Sequence, residues 1–234
     1  MLHIKNLRID LAGQTIIEHI NLDLAAGQSL ALSGASGSGK TTLLRAIAGL
    51  NEPQEGHIDC QAKRLAYLYQ EPRLLPWLRA DENIRLVAPD ASDERIYQLL
   101  ADLWLERKDA RKYPHELSGG MQQRIALARA LITDPDLLLM DEPFSALDAR
   151  LRDELQQRVI RIIEGGTSVV LVTHDAQEAV RLAQHIYCLG GGKPAGIFAE
   201  IHLPDPFQQR DHAWCQEKSA HPALRGIEEA ALAD

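Results

Sequence analysis

A glycine-rich stretch constrains this chain more than any other part of its sequence. The segment Gly34–Thr41 reads GASGSGKT and fits the pattern G-x-x-x-x-G-K-[ST], which is typical of a phosphate-binding loop. Such a loop turns successive backbone N–H groups toward the phosphates of a nucleotide, while its lysine reaches the β- and γ-phosphate oxygens. The pattern predicts a strand–loop–helix unit that binds a nucleotide, with Lys40 on the phosphates and Thr41 placed to hold Mg²⁺.

The sequence on either side of this loop fits the same unit. Ser29–Ser33 is a short apolar run that predicts a buried strand, and Thr42–Leu50 has the apolar spacing of a helix, with Gly49 near its end. A helix N-terminus stabilises an anion through its exposed N–H groups and the helix dipole. The residues expected to bind the nucleotide here are Gly34, Ala35, Ser36, Gly37, Ser38, Gly39, Lys40, Thr41 and Thr42.

A second glycine-containing motif, Leu117–Arg124, reads LSGGMQQR and precedes apolar residues at helical spacing. Two glycines at the start of a helix lower its stability, since each costs about 1 kcal/mol against alanine in a helix interior. They are useful where the first N–H groups of a helix must come very close to a phosphate. The alternative is an ordinary glycine-containing turn, but the phosphate loop in the same chain favours a phosphate contact.

Together the two motifs resemble the ABC ATPase family, whose signature is LSGG followed by Gln and a basic helix. Met121 stands where the commonest form has Gln. The resemblance extends over about residues 1–190 and implies an α/β fold: a P-loop NTPase core with a mostly parallel sheet flanked by helices, an N-terminal antiparallel β-subdomain and an inserted α-helical lobe. It implies a single ATP-binding domain over residues 1–234, with the lobe at about 71–117 and a C-terminal tail at about 193–234.

Two carboxylates follow the apolar run Leu137–Met140, which predicts a strand buried on both faces of a parallel sheet. Asp141 and Glu142 therefore lie at the carboxyl end of that strand, where open α/β sheets bind their ligands. The resemblance implies that Asp141 holds Mg²⁺ through water and that Glu142 is the general base acting on the attacking water.

Three further residues match family positions in the expected order along the chain. Gln70 resembles the Q-loop glutamine, which senses the metal and the γ-phosphate, and His174 resembles the switch histidine. Asp148 ends a segment that resembles the D-loop and is expected to contact the nucleotide. A single Gln or His is usually structural, so these assignments depend on their order around the two stronger motifs. In the family, a second copy contributes the signature residues, here Ser118, Gly119 and Gly120.

One position departs from the family pattern. Leu11 stands where family members usually carry an aromatic residue that stacks on adenine. Leucine can cover a purine by dispersion but has no π-system. The sequence therefore predicts weak selectivity for the base, with ATP and GTP affinities within about tenfold of each other and tighter ATP binding in Leu11→Tyr.

Composition limits the class of protein. The formal net charge is −8 and the pI is about 5.6, which argues against a nucleic-acid partner. The three cysteines show no metal-ligand spacing and predict reduced thiols in a cytosolic setting. Met1–Lys5 leads into a strand pattern without an apolar signal segment, and no run of about 18 apolar residues could span a bilayer. We expect a cytoplasmic protein, peripheral on the cytoplasmic face of the inner (cell) membrane.

The remaining pattern outlines the order of elements. Residues 1–33 alternate apolar and polar positions, as strands do, and Asp93–Leu103 has the spacing of a helix. Ile186–Leu189 is the last clear strand and is followed by Gly190–Gly192. A weak helical pattern begins after Asp211.

The segment Gln70–Trp77 narrows the resemblance to the nitrate, sulfonate and taurine importer branch, whose members carry Leu-Leu-Pro-Trp here. In the family this region receives a cytoplasmic helix of the permease, and an exposed apolar stretch is suited to such docking. The alternative is that Trp77 anchors the core of the helical lobe.

The resemblance implies an ATPase subunit that energises an ABC importer. Two copies form a head-to-tail dimer around two ATP molecules with Mg²⁺, on separate integral-membrane permease subunits, and a periplasmic solute-binding protein is an indirect partner. A soluble ABC ATPase without a transport role is the alternative, and a P-loop kinase would place a substrate lid where this chain has LSGG. Nitrate, sulfonate, taurine, bicarbonate and pyrimidine-type solutes all stay open.

Overall fold

The computed structural model describes residues 1–145, 147–190 and 192–224. The strands are β1 (Leu2–Leu11), β2 (Gln14–Leu24), β3 (Ser29–Gly34), β4 (Glu55–Cys60), β5 (Leu65–Leu68), β6 (Leu137–Asp141), β7 (Ser168–Thr173), β8 (His185–Gly190) and β9 (Gly196–His202). The helices are α1 (Lys40–Ile47), α2 (Ala80–Arg85), α3 (Asp93–Asp102), α4 (Gly119–Leu131), α5 (Ala149–Glu164), α6 (Ala176–Leu182) and α7 (His212–Ser219). Short 3₁₀ helices cover 107–111, 114–116 and 207–209.

A six-stranded sheet in the order β5-β6-β7-β3-β8-β9 forms the centre of the molecule. Its strands run parallel except β9, which pairs antiparallel with β8. Every residue of β3, β6 and β7 is buried. This burial explains their continuous apolar sequences, because a parallel sheet is covered on both faces. The predicted α/β core with a mostly parallel sheet is confirmed.

Alternate residues of the central strands enter two separate apolar cores. In β7, Val169 and Leu171 pack in the core on the side of α4 and α5. Val170 and Val172 pack in the other core, with α1 and the first two strands. The period of two along a strand produces this division.

A three-stranded antiparallel sheet, β2-β1-β4, covers the core that contains Val170 and Val172. Its alternating apolar residues face inward; Leu2, Ile4, Leu7 and Ile9 are all buried. The predicted N-terminal antiparallel β-subdomain is therefore confirmed, and β4 is a third strand that the sequence analysis did not identify.

The inserted lobe between β5 and α4 is helical, as predicted. Ser92 caps α3 by accepting a hydrogen bond from Arg95 N at 3.2 Å. Ile96 and Leu100 on this helix are fully buried in the core that contains Val169 and Leu171. Among the residues that the structure describes, no helix has both the length and the apolarity to cross a bilayer.

Two boundaries differ from the sequence-based expectation. Helix α1 begins at Lys40 rather than Thr42, because Gly39 adopts the left-handed conformation with φ 85° and ends the loop directly before it. The segment assigned to the tail contains β9, which joins the central sheet. Its alternating exposure is that of an edge strand, so its sequence is much less apolar than that of the buried strands. Gly191 and the final residues 225–234 lie outside the described residues.

Candidate nucleotide-binding site

The glycine-rich loop connects the carboxyl end of β3 to the N-terminus of α1. Gly37 and Gly39 have φ angles of 76° and 85°, which side chains rarely adopt. A Cβ atom on Gly39 would lie 2.5 Å from Ile17 Cγ2, and one on Gly34 would lie 2.4 Å from Leu189 O. The loop therefore requires glycine at these positions to follow its path along the edge of the sheet.

Lys40 is buried, and its ammonium group points back into the loop. Its Nζ atom donates hydrogen bonds to Gly34 O and Ala35 O, each at 2.8 Å, and lies 3.5 Å from Ser38 Oγ. Burial lowers the pKa of Lys40, while the charge of Glu142 opposes that shift. A positive charge that is held by neutral carbonyl groups can interact strongly with an anionic phosphate.

Asp141 lies directly beside the loop. Its Oδ1 accepts a hydrogen bond from Thr41 Oγ1 at 2.9 Å, and its Oδ2 accepts one from Tyr67 Oη at 3.3 Å. Burial raises the pKa of Asp141, whereas the hydrogen bonds from Thr41 and Tyr67 lower it. A hydroxyl and a carboxylate at this distance provide the oxygen donors that Mg²⁺ prefers, so the donor set fits the metal.

Glu142 lies between the two polar residues that were assigned to the site on their order alone. Gln70 Nε2 donates a hydrogen bond to Glu142 Oε2 at 3.2 Å, and His174 Nδ1 is 3.4 Å from Glu142 Oε1. The backbone of Glu142 is in the left-handed region, with φ 44°. The structure thus brings together Gln70, Glu142 and His174, which come from three different parts of the sequence.

A cavity of about 490 Å³ opens at this point. Its size and polar lining suit a nucleotide phosphate chain. Ile16 lies at its edge, whereas Leu11 is 40% exposed and does not line the cavity. The lining residues are Ile16, Ser36, Gly37, Gly39, Lys40, Thr41, Thr42, Gln70, Glu142 and His174.

The signature residues do not line this cavity. Ser118 caps α4 by accepting a hydrogen bond from Met121 N at 3.3 Å, and a Cβ atom on Gly119 would meet no atom within 4 Å. Asp148 caps α5 in the same way, accepting from Leu151 N at 3.0 Å. The structure therefore leaves Ser118–Gly120 and Asp148 outside the half-site formed by the glycine-rich loop.

Two polar residues to which the sequence motifs assign no role also support the site. Tyr67 hydrogen-bonds Asp141, and Gln123 Nε2 donates to Pro143 O at 3.3 Å and to Tyr69 O at 3.4 Å. Gln123 is one of the few buried polar residues, and its amide joins helix α4 to the segments that carry Glu142 and Gln70. Gln123 could have been found in the sequence, because it is a polar residue on the face of a predicted helix that is expected to be buried.

Comparison with known proteins agrees with this geometry. The family model described as ABC transporter matches residues 17–145. The aliphatic sulfonates import ATP-binding protein SsuB of Granulibacter bethesdensis is 44% identical over 94% of this chain and 92% of its own length. An SsuB protein of Pseudomonas fluorescens is 42% identical over 93% of this chain and 83% of its own length.

Solved structures resemble the whole fold. A dimeric post-hydrolysis state of the ATP-binding cassette MJ0796, bound to ADP and Pi, matches with a TM-score of 0.78 and 30% identity over 88% of this chain and all of that one. An ATP-binding subunit of an ABC transporter matches with a TM-score of 0.79 and 25% identity over 99% of both chains. The chain belongs to the ABC transporter family.

The class predicted from the two glycine motifs is confirmed: the protein is an ATP-binding ABC ATPase. The resemblance to the sulfonate-containing importer branch, which the Leu-Leu-Pro-Trp segment suggested, is also confirmed by the relatives.

Proposed function

We propose that this protein is the ATP-hydrolysing subunit of an importer for aliphatic sulfonates. Its relatives of known name are import ATP-binding proteins for these solutes, and they align over nearly the whole chain. The protein would act on the cytoplasmic face of the inner membrane, beneath separate permease subunits. A periplasmic binding protein would deliver the sulfonate, which this subunit would not contact.

The proposed mechanism depends on one observation: a single chain forms only part of the nucleotide site. The loop, Glu142 and His174 form one side of a cavity, while Ser118–Gly120 lies elsewhere with its first glycine open to approach. A second copy arranged head to tail would bring its signature to the nucleotide, and the similar MJ0796 structure is dimeric. ATP would then be held between two copies, so its hydrolysis would weaken the dimer.

The residues of one half-site suggest how hydrolysis proceeds. The loop N–H groups and Lys40 would bind the phosphates, and Thr41, Asp141 and Gln70 would hold Mg²⁺, which neutralises phosphate charge when bound. Glu142 would accept a proton from the attacking water. The contacts of Gln70 and His174 with the two carboxylate oxygens hold Glu142 in one orientation, which favours that role.

An exposed apolar surface on the helical lobe supports the permease contact. Trp77 is 68% exposed, and Leu86 and Val87 are each 49% exposed. Exposed apolar side chains that form a contiguous patch often mark a protein interface, and a permease helix could cover such a patch here. The exposure of Trp77 argues against the alternative that it anchors the lobe core.

Uptake of a labelled aliphatic sulfonate tests the proposal. Cells that lack the gene would receive the wild-type chain, Lys40→Ala or Glu142→Gln. We expect uptake only with the wild type, because Lys40→Ala loses nucleotide binding and loss of the base lowers turnover by about 10²- to 10⁴-fold. The purified Glu142→Gln chain should still bind ATP.

The outcomes separate the two parts of the proposal. If the wild-type chain restores uptake of nitrate but not of sulfonate, the proposed substrate is wrong and the proposed role in an importer stands. ATPase activity near the wild-type level in Glu142→Gln would contradict the role of the general base.

A further inference from the structure

A second cavity, of about 180 Å³, also reaches Glu142 and His174. A neighbouring cavity of about 350 Å³ extends from it toward the segment that precedes α7. Arg152, Asp175 and Glu178 line both cavities. These three charged residues therefore separate the candidate catalytic carboxylate from the outer cavity.

Glu178 supports the turn that carries His174. Its side chain is buried, and its Oε2 accepts a hydrogen bond from Thr173 Oγ1 at 2.7 Å. The same hydroxyl oxygen accepts from Asp175 N at 3.1 Å. Because Thr173 and Asp175 flank His174, these bonds fix the backbone on both sides of the histidine.

Arg152 connects this turn to helix α5. Its Nε lies 3.7 Å from Glu178 Oε1, and its Nη1 lies 3.8 Å from Asp175 Oδ2. Its Nη2 donates to Leu147 O at 3.4 Å, just before the helix begins. The Nε atom is buried and has no hydrogen-bond partner within the described residues. Such an atom is costly unless it pairs, and the Glu178 carboxylate is the acceptor within reach.

Charged groups face Glu178 from several elements. Burial raises the pKa of Glu178 to about 7, and Asp175 adds to the rise. Thr173, Arg152 and His174 oppose it. The other titratable or charged residues that line the two cavities are Glu142, Asp153, Arg181, Arg210, Asp211, His212 and Cys215.

We propose that Glu178 is a positioning residue for His174, and that its ionisation, through Arg152, sets the rate of ATP turnover. The ionised carboxylate attracts Arg152 Nε and holds the His174 turn against the start of α5. The protonated form loses that attraction, so His174 orients Glu142 less firmly. This inference rests on the proposed function, because its first readout is hydrolysis.

The test compares kcat and KM for MgATP from about pH 6 to about pH 8.5 in the wild type, Glu178→Gln and Arg152→Gln. We expect wild-type kcat to fall as the pH drops through about 7. Glu178→Gln should lower kcat roughly three- to tenfold at high pH, flatten the profile and leave KM nearly unchanged. Arg152→Gln should act similarly, and the double variant should be no worse than either single one.

Glu154→Gln is the matched control, because Glu154 lies on the same helix and pairs with exposed Arg150. It should keep the wild-type profile. A pH step that persists in Glu178→Gln, or additive effects of the two variants, would overturn the inference.

A chain that binds but does not hydrolyse ATP would contradict the proposed function instead. In that case an NMR titration of the Arg152 Nε–H signal still tests the inference, because this group lies 3.7 Å from Glu178 Oε1. The signal should follow an ionisation near pH 7 in the wild type that is absent in Glu178→Gln.

Discussion

At the scale of single residues, Glu178 links stability to pH. Its pKa in the folded protein is about 7, above the ordinary value of 4.5, because burial disfavours the charged form. The folded state therefore binds this proton more tightly than the unfolded state does. The resulting stabilisation is complete below about pH 4.5 and is lost as the pH rises through about 7.

Glu178→Gln should remove this dependence, since glutamine does not titrate. The difference between the two pKa values corresponds to about 3 kcal/mol as an upper value. We expect the free energy of unfolding of the wild type, relative to the variant, to fall by up to that amount between about pH 5 and about pH 8. Urea denaturation at several pH values measures it. A constant difference between the two proteins across that range would contradict the assignment.

Residues that belong to a sequence motif could be predicted. Residues that reach the site only because the folded chain brings them there could not. Lys40 and Glu142 belong to recognisable local patterns. Tyr67 and Glu178 reach the site only because β5 pairs with β6 and α6 follows β7. No chemical requirement fixes how far these two residues lie from the motifs in the sequence, so the sequence alone does not indicate their role.

At the scale of elements, Arg210 fastens the segment before α7 to the end of α6. Its buried guanidinium donates to four backbone carbonyl groups at 2.6–3.1 Å. It also lies over the rings of Phe207 and Trp214, 4.5 and 5.2 Å from their centroids. Burial lowers the pKa of Arg210 to about 10, so the group stays charged at neutral pH. The four acceptors are Val180 O, Ala183 O, Leu203 O and Asp205 O.

Arg210→Met should strongly destabilise the protein, because it leaves several buried carbonyl groups without a donor. We expect a loss of about 3–5 kcal/mol in the free energy of unfolding. Lys218→Met on α7 is the control, since Lys218 makes only an exposed pair with Glu217 and a distant contact, 5.8 Å, with the Trp214 ring among the described residues; it should change stability by less than about 0.5 kcal/mol. Urea denaturation compares the variants, and similar values for both would contradict the anchoring role.

Burial explains which elements the sequence predicted. The continuous apolar runs of β3, β6 and β7 identify buried parallel strands. The strands β4 and β9 lie at sheet edges, and most of their residues are at least partly exposed. These two strands lack the strong apolar periodicity that prediction depends on, so their place in the sheets follows from pairing alone.

At the scale of the whole molecule, the fold divides the ATPase machinery between two surfaces. The carboxyl ends of β3, β6 and β7 bring the loop, Glu142 and His174 to one cavity. The signature begins a different helix, and its first glycine is open to approach. Nothing within the described chain requires glycine at position 119, because its φ is not positive and an added Cβ meets no atom.

Gly119→Ala should therefore keep or slightly raise the stability of the monomer, by up to about 1 kcal/mol. On a Glu142→Gln background it should weaken ATP-driven dimerisation roughly tenfold or more, because the methyl group keeps the partner's phosphate at a distance. Ser118→Arg should abolish dimerisation. Light scattering with and without ATP measures both effects.

Gly196→Ala is the control for this experiment, because its added Cβ would make only an ordinary contact of 3.6 Å with Glu18 O. Its dimerisation should match the background. Normal ATP-driven dimers in Ser118→Arg would contradict the shared site.

The position of Ser118–Gly120 outside the cavity also has a genetic consequence. In the proposed dimer, a subunit with a defective glycine-rich loop and a subunit with a defective signature would each form inactive pairs with their own kind. A mixed pair would join the intact loop of one subunit to the intact signature of the other and so recover one complete site. The two defects would thus complement each other in one cell. A subunit that carries both defects would inactivate every dimer that it forms.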